Sequence, residues 1–306
     1  MNDNFLNFSS LTSSLPKGFH RLAIDIGGSS LKMVALDSES KIREYKSITT
    51  KERPVREVLD EAVEQLQKLP IHRCGVGFPG IVSESGEIVG SPNLQHWIGS
   101  SLSHELSSRI NSTVIATNDA NAAAFGESLF GGDHPVQHLL FLTLGTGVGT
   151  GLISSGKILC GAGGFAGEGG HITVEPKGAL CGCGRVGCLE AHFSGRALSR
   201  IALENGYPAG TGAKELFENA QQGDPKAEEL LSKAIDHLAI GISGMCALLD
   251  PEEVVLGGGI SKAGDYLIDR LSFHLQTRLQ YPGYSLPHLR ISQLGADAGL
   301  LGALAL

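Results

Sequence analysis

Residues 21–36 read RLAIDIGGSSLKMVAL: an apolar run from Arg21 to Ile26, a glycine turn, and a second apolar run from Leu31 to Leu36. The pattern predicts two strands joined through Gly27-Gly28-Ser29-Ser30. Glycine lets backbone N–H groups approach an anion closely, and a serine hydroxyl adds a donor. Asp25, at the end of the first strand, is placed to hold a metal-bound water. A plain tight turn in a glycine-rich chain has the same local look. No GxxxxGK[ST] segment occurs, so a phosphate held here needs a different clamp.

Working outward, a third strand is expected near Ile42 to Thr49. A helix follows over Pro54 to Leu69 with Pro54 in its first turn, then a strand over Ile71 to Phe78 closed by Pro79-Gly80. A helix over Leu102 to Ile110 and a strand over Ser112 to Ala116 complete a β-β-β-α-β-α-β order. The second half repeats the idea. Asn118 caps an Ala-rich helix to Phe130, Leu139 to Leu144 is a strand, Gly145 to Thr150 a glycine turn, and Gly151 to Ser154 a strand. Helices are expected over Ala191 to Leu203, Thr211 to Gln221 and Asp224 to Leu249; the last carries a buried stripe from Leu231 to Leu249. Strand Val254 to Leu256 ends in Gly257-Gly258-Gly259. A helix over Ser261 to Leu279, a strand over His288 to Ile291 and a helix from Ala296 close the chain. Two α/β halves thus each present a hairpin with a glycine turn, and the pair favours phosphate binding over two plain turns.

The 306 residues allow one large or two ordinary domains, and 42 glycines with few aromatics suit an α/β enzyme. A net charge of −8 argues against a nucleic-acid surface. No apolar run is long enough to span a bilayer; Ala239 to Leu249 is the best and is interrupted by Gly and Ser. Residues 1–20 lack the basic start and apolar core of a signal peptide and read as a polar tail.

His171, Cys181, Cys183 and Cys188 form H-x9-C-x-C-x4-C, four soft ligands suited to a tetrahedral zinc ion. The alternative, chance clustering of thiols, does not account for three cysteines in eight residues beside a spaced histidine. Four protein ligands close the site, so the metal is expected to be structural. Thiolate ligands must stay reduced, which points to the cytoplasm. Within the cluster, Gly182 to Gly187 matches GxGxxG, but no apolar strand precedes it and it is no dinucleotide fingerprint. Asn118-Asp119 opens a helix after a strand, the usual ligand position in open α/β sheets; Asp119 could serve as a general base toward a hydroxyl, or be only part of a cap. Asn93, in Ser91-Pro92-Asn93-Leu94, could bond a polyol or simply shape a turn.

Together these blocks resemble the ROK family of bacterial sugar kinases and sugar-responsive repressors. The resemblance runs from about Leu22 onward and rests on DIGGSS, GFPG, SPNL, NDANAAAFGE, LGTGVGTGL, GEGGH-x9-CGCGRVGCLE and DPEEVVLGGGIS; the cysteine block is the most specific. It implies an actin-like (ribonuclease H-like) ATPase fold, two α/β lobes around a cleft. The small lobe is expected over 21–117 plus 293–306, and the large one over 118–292 with the zinc loop 168–190. The resemblance also implies that Asp25, Gly27, Gly28, Ser29, Gly145, Thr146, Gly147 and Gly149 flank the ATP phosphates, with Gly257, Gly258 and Gly259 near adenosine. Asp119 matches the catalytic base. Asn93, Asn118, Glu168, His171 and Glu190 match contacts to sugar hydroxyls, His171 using its other ring nitrogen for zinc. The expected reaction is ATP- and Mg²⁺-dependent phosphorylation of a hexose 6-hydroxyl, glucose first. N-acetylmannosamine, N-acetylglucosamine and fructose kinases share the same residues. A homodimer or homotetramer is implied.

Two departures stand out. Family members usually read GGTK where this chain has Gly27-Gly28-Ser29-Ser30 with Lys32 two places on. That arrangement is similar to the family's polyphosphate-using glucokinases, which commonly lack the cysteine cluster. Gly169 stands where an apolar residue is common, an exchange expected to loosen the loop holding Glu168. A repressor would carry a helix-turn-helix domain before the first glycine turn, and about twenty-four residues before Asp25 are too few for one.

Overall fold

The computed structural model describes residues 15–66 and 69–306, the side chains of 43–45 excepted. The chain clusters into two compact units. The first combines the described part of 1–135 with 158–166 and 296–306; the second combines 136–157 with 167–295. Most of the expected tail, residues 1–14, lies outside the described residues.

The first unit opens with β1 (Arg21–Ile26), β2 (Ser30–Leu36) and β3 (Ile42–Thr49). Helix α1 (Val55–Glu64) follows, with Pro54 just before its first turn. It is shorter than expected, and residues 67 and 68 of the expected span are not described. Then come β4 (Arg73–Phe78), a small hairpin of β5 (Ile81–Val82) and β6 (Ile88–Gly90), α2 (Leu102–Ile110), β7 (Thr113–Asn118) and α3 (Asp119–Phe130). The sheet order is β3-β2-β1-β4-β7. β1 runs antiparallel to β2 and parallel to β4, and β4 runs parallel to β7. Strand β1 is buried along nearly all its length, as a central strand covered on both faces must be.

The second unit repeats this plan. It contains β8 (Leu139–Leu144), β9 (Val148–Ser154), β10 (Lys157–Ile158, at the unit boundary), α4 (Leu189–His192), α5 (Gly195–Glu204), α6 (Ala213–Gln221), α7 (Pro225–Leu249), β11 (Glu253–Gly257), α8 (Asp265–Arg278) and β12 (His288–Ile291). The sheet order is β10-β9-β8-β11-β12, with β8–β9 antiparallel and β8–β11–β12 parallel. Helix α7 is long and apolar enough to cross a membrane by length and composition. Its apolar stripe is core instead: Leu231, Ile235, Leu238 and Ile242 are fully buried.

Three expected elements differ. The helix expected over 191–203 is two helices, broken at Phe193-Ser194, where Ser194 caps α5 by accepting from Ala197 N–H. The helix expected from Ser261 breaks at Gly264, whose φ of +61° ends a short 3-10 turn. Gly149 lies in β9 opposite Thr143, so the second glycine turn is confined to Gly145–Gly147.

The boundary expected at residue 118 also moves. Helix α3 belongs with the first unit because it packs backbone to backbone on α9 (Ala298–Ala305). A Cβ on Gly302 would lie 1.7 Å from the Ala122 carbonyl oxygen, and one on Gly126 would lie 2.3 Å from that of Ala298. Only glycine permits that approach.

Candidate active site

In the first unit, Asp25 is the penultimate residue of β1, laddered between Lys32 on β2 and Gly77 on β4. Its half-buried carboxylate accepts no hydrogen bond among the described residues. Burial pushes its pKa above the ordinary carboxylate range, and the Lys32 charge partly offsets this. A Cβ on Gly77 would lie 3.5 Å from Asp25 Oδ1 and 3.7 Å from Asp119 Cα, ordinary contact distances, so both residues border this strand position. The Gly299 Cβ position is also 3.5 Å from Asp25 Oδ1. A partly desolvated carboxylate walled by glycines and lacking a protein donor fits a hydrated Mg²⁺.

Asn118 ends β7 and caps α3. Its Oδ1 accepts from Ala120 and Asn121 N–H at 2.8 and 3.2 Å, and its Nδ2 donates to the Gly80 carbonyl at 3.0 Å. Most of its hydrogen-bonding capacity is therefore spent inside the protein. Asp119 follows in the first turn of α3, a favourable place for a carboxylate against the helix dipole. Its Oδ1 accepts from Ala120 N–H at 2.8 Å.

Asn93 is exposed and lies directly on the first glycine turn: a Cβ on Gly28 would sit 3.0 Å from Asn93 Cβ. Its loop is anchored on both sides. Ser91 Oγ donates to the Pro79 carbonyl at 2.8 Å, and the buried Trp97 donates from Nε1 to the Arg53 carbonyl at 2.9 Å while stacking on Phe78.

In the second unit, the donor atoms of His171, Cys181, Cys183 and Cys188 all lie within 4.8 Å of one another. Cys183 Sγ is 3.7 Å from Cys188 Sγ, and Cys181 Sγ is 3.7 Å from His171 Nδ1. A tetrahedron with Zn–S of about 2.3 Å has edges of about 3.7 Å, so the cluster fits zinc. The knuckle's backbone is held by its own hydrogen bonds. Cys181 N–H donates to the Arg185 carbonyl at 2.8 Å, and Gly187, at φ +79°, accepts from Val174 N–H at 2.8 Å. Without metal, burial pushes the Cys181 thiol up to about 12, so the metal would be what makes it a thiolate. His171 Nε2, the nitrogen turned from Cys181, lies 3.8 Å from Glu168 Oε2.

Gly169 does not loosen this loop. A Cβ there would meet Met245 Sδ at 2.6 Å and Thr150 Oγ1 at 2.8 Å. Thr150 Oγ1 accepts from Gly169 N–H at 2.9 Å and donates to the Gly167 carbonyl. Glycine is what lets the segment after Glu168 seat tightly on β9 and α7.

The second glycine turn borders a cavity of about 1020 Å³, walled by Gly145, Thr146, the start of α5, helix α6 and Gly259. Gly195 and Arg196 N–H donate to the carbonyls of Gly145 and Thr146 at 2.8 and 3.3 Å. Among the described residues, the N–H groups of Thr146 and Gly147 have no hydrogen-bond partner and are the turn's open donors. Gly257 packs on the Phe141 ring and Gly258, at φ +83°, on the Leu144 backbone; of the three, Gly259 lines the cavity. The sequence reading missed Arg196, Lys214, Lys262 and Phe217, which supply three cations and an aromatic wall. Their one local sign is Ser194-Gly195, a helix start placed right behind the cysteine block.

The sequence pattern of the ROK family matches residues 21–306. A glucokinase from Thermotoga maritima is 34% identical over 301 residues, covering 92% of this chain and 95% of that protein. An N-acetylmannosamine kinase from Escherichia coli is 36% identical over 288 residues, covering 92% and 96%. The crystal structure of a ROK family glucokinase from Streptomyces griseus in complex with glucose and AMPPNP superposes with a TM-score of 0.74 at 30% identity, covering 93% of this chain and 98% of that one. With this agreement in sequence and topology, the chain belongs to the ROK family and has the actin-like ATPase fold of its sugar kinases.

Proposed function

We propose that this sugar kinase transfers the γ-phosphoryl group of ATP to the 6-hydroxyl of glucose. The observation that carries the reading is that Asp25 Oδ1 and the backbone of Asp119 both border the Gly77 Cβ position, at 3.5 and 3.7 Å, which places a candidate cation-holding carboxylate near the residue that is the candidate base. Asp119 takes the proton of the 6-hydroxyl as its oxygen attacks the γ-phosphorus, and ADP leaves. Asp25 would hold Mg²⁺ through water, and that ion would neutralise charge on the phosphates. The resemblance assigns Asn93, Asn118, Glu168, His171 and Glu190 to the sugar hydroxyls, and zinc held by His171, Cys181, Cys183 and Cys188 would stiffen the loop that presents three of them.

ATP is favoured over polyphosphate because the cavity beside the second turn has apolar walls at Phe217, Ile260 and Ala263 as well as cations. A polyphosphate chain has no use for such walls, whereas a purine and its ribose do. Glucose is taken first because Ser91-Pro92-Asn93-Leu94 followed by Trp97 resembles the glucokinases of the family. The relatives that act on glucose and on N-acetylmannosamine are about equally similar to this chain, which makes N-acetylmannosamine the second reading. We place the protein in the cytoplasm, where its thiolates stay reduced, as a homodimer or homotetramer.

A coupled ADP-release screen over glucose, mannose, fructose and the N-acetylhexosamines tests the assignment, with polyphosphate run as alternative donor. The highest kcat/KM is expected for glucose with ATP. A higher value for N-acetylmannosamine would reassign the substrate, and turnover with polyphosphate alone would reassign the donor.

A further inference from the structure

We propose that Glu190 is a positioning residue for the nucleotide, tying the zinc knuckle to the phosphate turn. This rests on the reading that the Gly145–Gly147 turn receives the phosphates of ATP. Glu190 is the second residue of α4, whose cap position is the metal ligand Cys188. Its Oε2 accepts from Val148 N–H at 3.0 Å, immediately after the turn. Its Oε1 lies 3.8 Å from Cys181 Sγ. One carboxylate therefore touches both the metal cluster and the turn.

Gly147 carries the argument further. Its φ is not in the left-handed region, so its backbone alone would accept another residue. The three atoms nearest to a Cβ built there all belong to Glu190, Oε2 at 2.2 Å first. The turn has glycine at 147 because the carboxylate occupies the place of a side chain. By taking Val148 N–H, Glu190 also fixes the peptide orientation next to Thr146 and Gly147, the two open donors. Beginning five residues farther on, α5 holds the turn's other side through Gly195 and Arg196 N–H. The segment 188–196 thus grips the turn at both ends, and its own start is pinned by Cys188. Four lone-pair sites on a carboxylate leave room for a sugar contact as well.

Calorimetric binding of AMPPNP without sugar, repeated with inorganic tripolyphosphate, tests this, alongside glucose titrations and metal analysis. Glu190→Ala is expected to weaken AMPPNP and tripolyphosphate by about ten- to a hundredfold, the worth of one charged hydrogen bond. Glu190→Gln, whose amide oxygen can still accept from Val148, should regain most of that loss. Gly147→Ala should weaken both probes too, and less than additively in combination with Glu190→Ala. Removing zinc from the wild-type protein with a chelator should lower AMPPNP affinity as well, a readout that does not depend on any variant folding. Unchanged AMPPNP affinity in Glu190→Ala, or after verified zinc loss, overturns the proposal while leaving the kinase reading in place. If the wild-type protein binds neither probe, the proposal falls together with the phosphate assignment of the turn.

Discussion

Asp119 and Asp25 show how much one residue's setting decides. Asp119 is held by its own helix: its Oδ1 accepts from Ala120 N–H, and the Asn118 cap fixes where α3 begins. Asp119→Asn keeps that geometry but removes the base, so kcat is expected to fall by about two orders of magnitude or more with glucose affinity retained. Steady-state kinetics with parallel calorimetry check this, and near-normal turnover would remove Asp119 from the mechanism. Asp25 differs because burial raises its pKa. Its ionised form is the one that can hold a hydrated cation, so kcat/KM for ATP should fall as pH drops through that raised value, sooner than an ordinary carboxylate would dictate. Lys32→Met removes the charge that pulls the value down, so the acid limb should move to higher pH. For stability the sign is the same as for any raised carboxylate. Its contribution is greatest below the unfolded-state pKa and is lost as pH rises through the folded one. A pH–rate profile of the variant that overlays the wild type would show that Asp25 is not the group being titrated.

At the scale of the element, the Cys/His cluster is the part most legible in the chain, because its four donor residues lie between 171 and 188 and need only local turns to meet. Metal analysis of protein purified without chelator should find about one zinc per chain. Cys183→Ser should lose the metal and weaken glucose binding, since Glu168, His171 and Glu190 hang on the same loop; full glucose affinity in the zinc-free variant would end the scaffold role. The strand–turn–strand hairpins were readable for the same local reason. Helix breaks were not. Residues 189–204 have continuous helical spacing, yet Ser194 caps a new helix because Gly195 must approach the Gly145 carbonyl, where a Cβ would sit at 2.9 Å. The Gly169 exchange was misread for a related reason: a missing side chain looks like slack until Met245 and Thr150 are seen in its place.

At the scale of the whole molecule, each of the two units has its own hydrophobic cluster, and Trp97 lies in the first. Trp97 is fully buried against Phe78 in the first unit. Its emission should follow unfolding of that unit and stay unchanged when zinc is chelated from the second; a shift on chelation would show that loss of the metal reaches the surroundings of Trp97. Gly302→Ala is expected to lower the stability of the unit that Trp97 reports on by about 1–3 kcal/mol, seen as a lower denaturant midpoint, because a Cβ would press into the Ala122 carbonyl. An unchanged midpoint would mean that α3 and α9 can part at no cost.

The sequence by itself determined the doubled β-hairpin plan, the clustering of His171 with Cys181, Cys183 and Cys188, the strand-to-helix position of Asp119 and the family. Each of these is written in short-range spacing, which sets backbone conformation and brings near neighbours together. Only the tertiary structure decided that α3 joins the first unit through Gly126 and Gly302, that α5 and α6 wall the cavity beside the second glycine turn, and that Glu190 rests on that turn. Hydrophobic periodicity tells which face of an element is buried, not what buries it. That choice follows from the fit of surfaces far apart in the chain, where one absent Cβ or one carboxylate settles which backbone can come close.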